Sequence, residues 1–213
     1  MKRRKMWMAA VSLFGFLIWT VLVLVAWVRP IGPQGSMVGL AGVNSLFHRL
    51  TGVNMLLYTI TDWLGLVPLA VALSFALLGI AQMIRRRSLL RVDYDILALG
   101  VFYIAVMLVY ILFEIVVINY RPIPIGGILE PSYPSSTTML VLCVMPTAAT
   151  QLKRRIKSTA LRRFALLAII AFTSFMVVGR VLSGVHWITD IIGGALLSSG
   201  LVMAYRAFIT KRK

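Results

Sequence analysis

Three short segments of this 213-residue chain hold side chains able to grip and attack an anionic group. His186 and Asp190 stand four residues apart. On a helix that spacing puts both on one face, within side-chain reach. A carboxylate that accepts from imidazole Nδ1–H fixes the tautomer and leaves the Nε2 lone pair free, which suits a nucleophile. The plainer account is a pair that only stabilises packing. Arg121 lies in Asn119-Tyr-Arg-Pro122, and Arg180 lies six residues before His186. Arginine offers phosphate a planar fork of donors and keeps its charge at any physiological pH. Each arginine taken alone reads equally well as a snorkelling interfacial side chain. Ser135, Ser136 and Thr137, in Tyr133-Pro-Ser-Ser-Thr-Thr138, come just before an apolar run. They are good helix caps, and hydroxyls beside the free amides of a helix N-terminus also bind anions.

The elements that must position these segments are membrane helices. The chain is 60% hydrophobic with a mean hydropathy of +0.93, far more apolar than a soluble domain of this length tolerates. A membrane helix needs about 20 apolar residues. Six runs qualify or nearly so, roughly Met6–Val28, Trp63–Ile84, Ile96–Ile118, Thr138–Leu152, Phe164–Val178 and Trp187–Ile209. The fourth and fifth are short, which implies thinned lipid or a flanking motif that dips into the membrane. The first run is too long for the core of a cleaved signal and has no small-residue cleavage site after it. The single cysteine, Cys143, sits in an apolar run and reads as a small core residue.

A net charge of +16 would ordinarily suggest nucleic acid, but the positions of the charges exclude that partner. All but four of the 22 basic residues fall in four groups, at 2–5, 85–91, 153–163 and 206–213. Six crossings place those groups on one side. The positive-inside rule makes that side cytoplasmic, with both termini there and the candidate site outside the cytoplasm, as in a multi-pass protein of the cell membrane. The four exceptions are Arg29, Arg49, Arg121 and Arg180. Between the first two runs, Asn44–Tyr58 carries apolar residues near helical spacing, and a short interfacial helix is expected there. The whole chain, 1–213, reads as one all-α domain: a six-helix bundle with helices three to six around the site. Ionisable groups at membrane depth are costly, which makes a functional role the default expectation for the constellation.

Together the three segments resemble the signature of the type 2 phosphatidic acid phosphatase and haloperoxidase superfamily. That signature is Lys-x6-Arg-Pro, then Pro-Ser-Gly-His, then Ser-Arg-x5-His-x3-Asp. This chain has Glu114-x6-Arg121-Pro122, then Pro134-Ser-Ser-Thr137, then Gly179-Arg180-x5-His186-x3-Asp190. Order and spacing agree, and the core of the match spans about 114–190. The resemblance implies a membrane lipid phosphatase in which His186 attacks phosphorus and becomes a phosphohistidine. Asp190 would orient it, and Arg121, Arg180 and Ser135 (with Ser136 beside it) would hold the phosphate oxygens. It implies no metal and no cofactor, since arginines can supply the charge neutralisation that dominates phosphoryl transfer. Expected substrates are undecaprenyl pyrophosphate, phosphatidylglycerophosphate, phosphatidic acid or diacylglycerol pyrophosphate. Oligomeric state is not legible.

Three departures bear on activity. Glu114 replaces a lysine; a carboxylate there either turns away from phosphate or pairs with an arginine, and two helical turns before Arg121 it could share a face with that residue and brace it. Gly179 replaces a serine and removes one phosphate contact. Thr137 replaces the histidine that protonates the leaving oxygen, a step typically worth about 10²–10⁴-fold. Three explanations are open: a substitution made to trap an inactive enzyme, a natural loss of activity, or a proton from another group, His48 being the one other histidine. The rival reading is a catalytically impaired or non-catalytic protein that binds or transports lipid phosphates.

Overall fold

The computed structural model describes residues 1–210. Lys211, Arg212 and Lys213, counted above in the last basic group, lie outside the described residues. Eight α-helices follow in order: α1 Lys2–Val25, α2 Ala41–Thr51, α3 Met55–Leu64, α4 Leu66–Arg86, α5 Tyr94–Ile115, α6 Ser136–Arg155, α7 Thr159–Leu182 and α8 Ile188–Phe208. Among the described residues the extended backbone is limited to three isolated bridges in the loops. Helices α1, α5, α7 and α8, and the near-continuous α3–α4, are each long and apolar enough to cross a membrane.

The sixth helix of the bundle is α6, and it occupies the centre, against α4, α5, α7 and α8. Its inward side chains include Thr138, Thr147 and Gln151, all buried. Gln151 bonds Tyr205, and Thr147 bonds Tyr103. A helix that meets protein on most sides is released from the demand for an unbroken apolar surface, which explains its weak hydropathy in the sequence. Its length corrects one expectation. At 20 residues α6 is about 30 Å long, and α7 at 24 is longer still. Both are longer than their apolar runs, because the polar and basic residues at their ends, Ser136–Thr137, Lys153–Arg155 and Arg162–Arg163, are helical too.

The expected interfacial helix at Asn44–Tyr58 is in fact two helices. Gly52, at φ +61, breaks the segment. Its first part is α2, and its second opens α3, which runs through Gly65 in helical conformation into α4. The second span therefore begins at Met55 rather than Trp63. Likewise α5 ends at Ile115, six residues before Arg121, so it stops well short of Pro122.

The two ends of the bundle differ in charge. At the basic end, Arg154 and Arg155 pair with Asp95, and Arg86 pairs with Asp93. The Arg86 hydrogen bond holds the Asp93 carboxyl below its usual range. At the opposite end α2 folds back onto the start of α8. Buried Asn44 there donates to Thr189 Oγ1 at 3.0 Å and accepts from the Thr189 amide at 3.3 Å. Close packing against α8 needs glycine in two places. A Cβ on Gly200 would lie 2.6 Å from Leu13 of α1, and one on Gly193 would lie 2.7 Å from the Tyr133 ring.

Candidate active site

The three segments converge at the end of the bundle away from the basic groups, and Asp190 is where they join. Asp190 sits in the first turn of α8, and its carboxylate accepts from the Trp187 amide at 3.0 Å and from Asn119 Nδ2 at 3.3 Å. Its carbonyl accepts from the Ser135 amide at 3.1 Å. Trp187 Nε1 in turn donates to the Tyr120 carbonyl at 2.8 Å. Neighbours of Arg121, Thr137 and His186 are thus tied to one wholly buried residue.

His186 is buried, with 1% of its side chain exposed. Its Nδ1 lies 3.8 Å from Asp190 Oδ2, an ion-pair distance rather than a hydrogen bond. The expected spacing therefore brings the two together, but the carboxylate is engaged by Trp187 and Asn119. Burial lowers the imidazole below its ordinary value, Arg121 and Arg180 add to the effect, and Asp190 opposes it. A neutral ring with an available lone pair follows at neutral pH.

Arg180, also 1% exposed, uses Nη2 to donate to Asp62 Oδ1 at 2.8 Å and to Thr137 Oγ1. Arg121 pairs with Glu130, whose Oε2 lies 3.0 Å from Nε but off the line of the N–H, so the contact is ionic only. Both guanidinium groups lie by the ring of Tyr58, with central carbons 5.9 Å (Arg121) and 5.1 Å (Arg180) from its centroid. Six buried nitrogens therefore have no hydrogen-bond partner: Nε and Nη1 of Arg121, Nε and Nη1 of Arg180, and both ring nitrogens of His186. Buried donors without partners are rare in folded proteins, and each needs a reason. Five donors and one imidazole lone pair on three convergent side chains fit an anion bound with several oxygens.

Ser135 is buried and its hydroxyl donates to Thr138 Oγ1 at 3.0 Å, which occupies it within the cap of α6. Ser136, the first residue of α6, is partly exposed and lines a small cavity with Glu114, Tyr110 and Tyr133. Glu114 does not brace Arg121. Because α5 stops at Ile115, the two-turn spacing never forms, and Glu130 takes that place across the loop. Gly179 faces α3, and a Cβ there would lie 2.7 Å from the Thr61 methyl. The glycine is thus a packing requirement of this chain. His48 shares a small cavity with His186, and its ring lies 5.6 Å from that of Trp187. Burial lowers the His48 imidazole as well.

A family model described as the PAP2 superfamily matches residues 98–213, more than half of the sequence. The chain belongs to the PAP2 superfamily. The crystal structure of a transmembrane PAP2 type phosphatidylglycerolphosphate phosphatase from Bacillus subtilis superposes on this PAP2 chain with a TM-score of 0.63. Identity is 16%, with 97% of this chain and 100% of the other covered, so the likeness is one of fold. No curated protein matches.

Within this PAP2 fold, sequence reasoning missed Tyr58, Asp62, Asn119 and Glu130. Asp62 carried a usable signal, as the one acidic residue between Met55 and Arg86 in an otherwise apolar stretch. Tyr58 carried none, since a tyrosine in an apolar helix has many ordinary uses.

Proposed function

We propose that this chain is a membrane lipid phosphatase that removes a terminal phosphate from a lipid monoester or pyrophosphate on the extracytoplasmic side. The six partnerless nitrogens of Arg121, Arg180 and His186 are the observation that carries this reading. Phosphate oxygens would take the free donors of the two arginines. His186 Nε2 would then attack phosphorus as the bond to the leaving oxygen breaks. Asp190 would keep the ring oriented, with Nδ1–H facing its carboxylate. Water would next attack the phosphohistidine, breaking P–N and releasing inorganic phosphate. Arginines held in place beforehand supply charge stabilisation without reorganising during the reaction. Ser136 acts at the margin, through its amide in the first turn of α6, while Ser135 holds that turn in place through its bonds to Asp190 and Thr138.

A second reading rests on Thr137. Its hydroxyl does not titrate near neutrality and already accepts from Arg180. A protein of this form could bind lipid phosphates with little or no turnover. One experiment separates the two: phosphate release from phosphatidic acid, phosphatidylglycerophosphate, diacylglycerol pyrophosphate and undecaprenyl pyrophosphate, with wild type and His186→Ala in detergent. The phosphatase reading expects release from at least one lipid and a loss on the order of 10⁴-fold in the variant. Binding without release, or undiminished release by His186→Ala, overturns it.

A further inference from the structure

We infer that Asp62 is the proton donor to the leaving oxygen, in place of the histidine that Thr137 supplants. The inference rests on the phosphatase reading above. Thr137 Oγ1 and Asp62 Oδ1 accept from the same nitrogen, Arg180 Nη2, so the two side chains stand next to each other. The carboxyl is therefore adjacent to the position from which a histidine at 137 would act. It is also reachable: 56% of the Asp62 side chain is exposed, against 1% for Arg180 behind it. The competing groups fit less well. His48 shares its cavity with His186 and lies on the nucleophile's side. An in-line displacement puts the leaving oxygen on the far side of phosphorus from the attacking nitrogen. Glu130 is held by Arg121, whereas the Thr137 hydroxyl is bonded to Arg180.

The chemistry closes on these groups. Phosphate oxygens take Nε and Nη1 of Arg180, and Nη2 keeps Asp62 beside Thr137 at the edge of the phosphate site. His186 Nε2 forms a bond to phosphorus while the P–O bond breaks, and the Asp62 carboxyl proton passes to the departing alkoxide, giving a neutral alcohol. The carboxylate then takes a proton from the water that attacks phosphohistidine. P–N breaks, hydrogen phosphate leaves, and Asp62 is again a carboxylic acid.

The test exploits leaving-group basicity. Para-nitrophenyl phosphate expels a weak base that needs little help, whereas phosphatidic acid expels an alkoxide that needs a proton. Asp62→Asn in the full chain is expected to lower turnover of phosphatidic acid by about 10²–10⁴-fold and to leave para-nitrophenyl phosphate within about tenfold of wild type. Retained aryl hydrolysis also reports that the variant folds. Asp62→Glu should keep alkyl hydrolysis, and adding Thr137→His to Asp62→Asn should restore it. Equal losses on both esters, no loss on either, or no rescue by Thr137→His overturns the inference. If hydrolysis is lost in His186→Ala yet indifferent to Asp62→Asn, only the role of Asp62 falls. A wild type inert toward both esters and toward the other three lipids of the panel overturns it together with the phosphatase reading.

Discussion

His186 illustrates how little a residue's type says about its charge until its surroundings are known. Two arginines and complete burial act against protonation, and the nearby carboxylate only partly offsets them. A neutral nucleophile is lost when pH falls through its own value. Because that value is depressed, the acid limb of kcat/KM is expected below about 6.5, the ordinary imidazole value. A pH–rate profile of phosphate release checks this, and an acid limb above that point contradicts it. The same shift has a stability consequence of definite sign. Between the two values the unfolded chain binds more protons than the folded one, so stability falls as pH drops below about 6.5.

The contact of α3 with α7 is the element-scale feature that the site depends on. Tyr58 and Asp62 reach the arginines only because α3 lies tight against Gly179, with buried Thr61 in between. Placing the family's serine there does not restore a phosphate contact but drives two helices apart. Gly179→Ser is expected to lower both stability and activity, by on the order of 1–3 kcal/mol in stability, as for other overpacked sites. Thr61→Ala in the same chain should recover part of both, because the clash is with its methyl group. Thermal unfolding of the single and double variants in detergent measures the coupling. Additive effects would show that the two residues do not meet. The split of the expected interfacial helix belongs to this scale too. Without the left-handed turn at Gly52, α3 could not leave α2 and dock on α7.

For the molecule as a whole, charge asymmetry sets the orientation. Among the described residues, the basic end gathers all but four of the lysines and arginines. The site end holds Asp62, Glu114, Glu130 and Asp190, four of the six acidic residues. Cytoplasmic termini and an outward-facing site are therefore expected. Single cysteines at Gln34 or Gly126 should react with an impermeant maleimide in intact cells, while cysteines at Ser88 or Ser158 should react only after lysis. Wholly buried Cys143 should give little background. Labelling in the reverse pattern would invert the topology and place the site in the cytoplasm.

The amino-acid sequence by itself determined the membrane class, the all-helical fold and the family resemblance. These follow from composition, apolar run length and local spacing, all of which are properties of neighbours along the chain. It misplaced helix ends where helical residues are polar, as in α6 and α7, because run length measures apolarity rather than backbone conformation. It also assigned Glu114 to Arg121 by a helical spacing that the early end of α5 removes. Only the tertiary structure decided which carboxylates meet which arginines. Asp62 and Arg180 are far apart in sequence and adjacent in space, and helix packing alone brings them together. The same packing decided that Gly179 serves a close helix approach, since the space available to a side chain is set by whatever lies opposite.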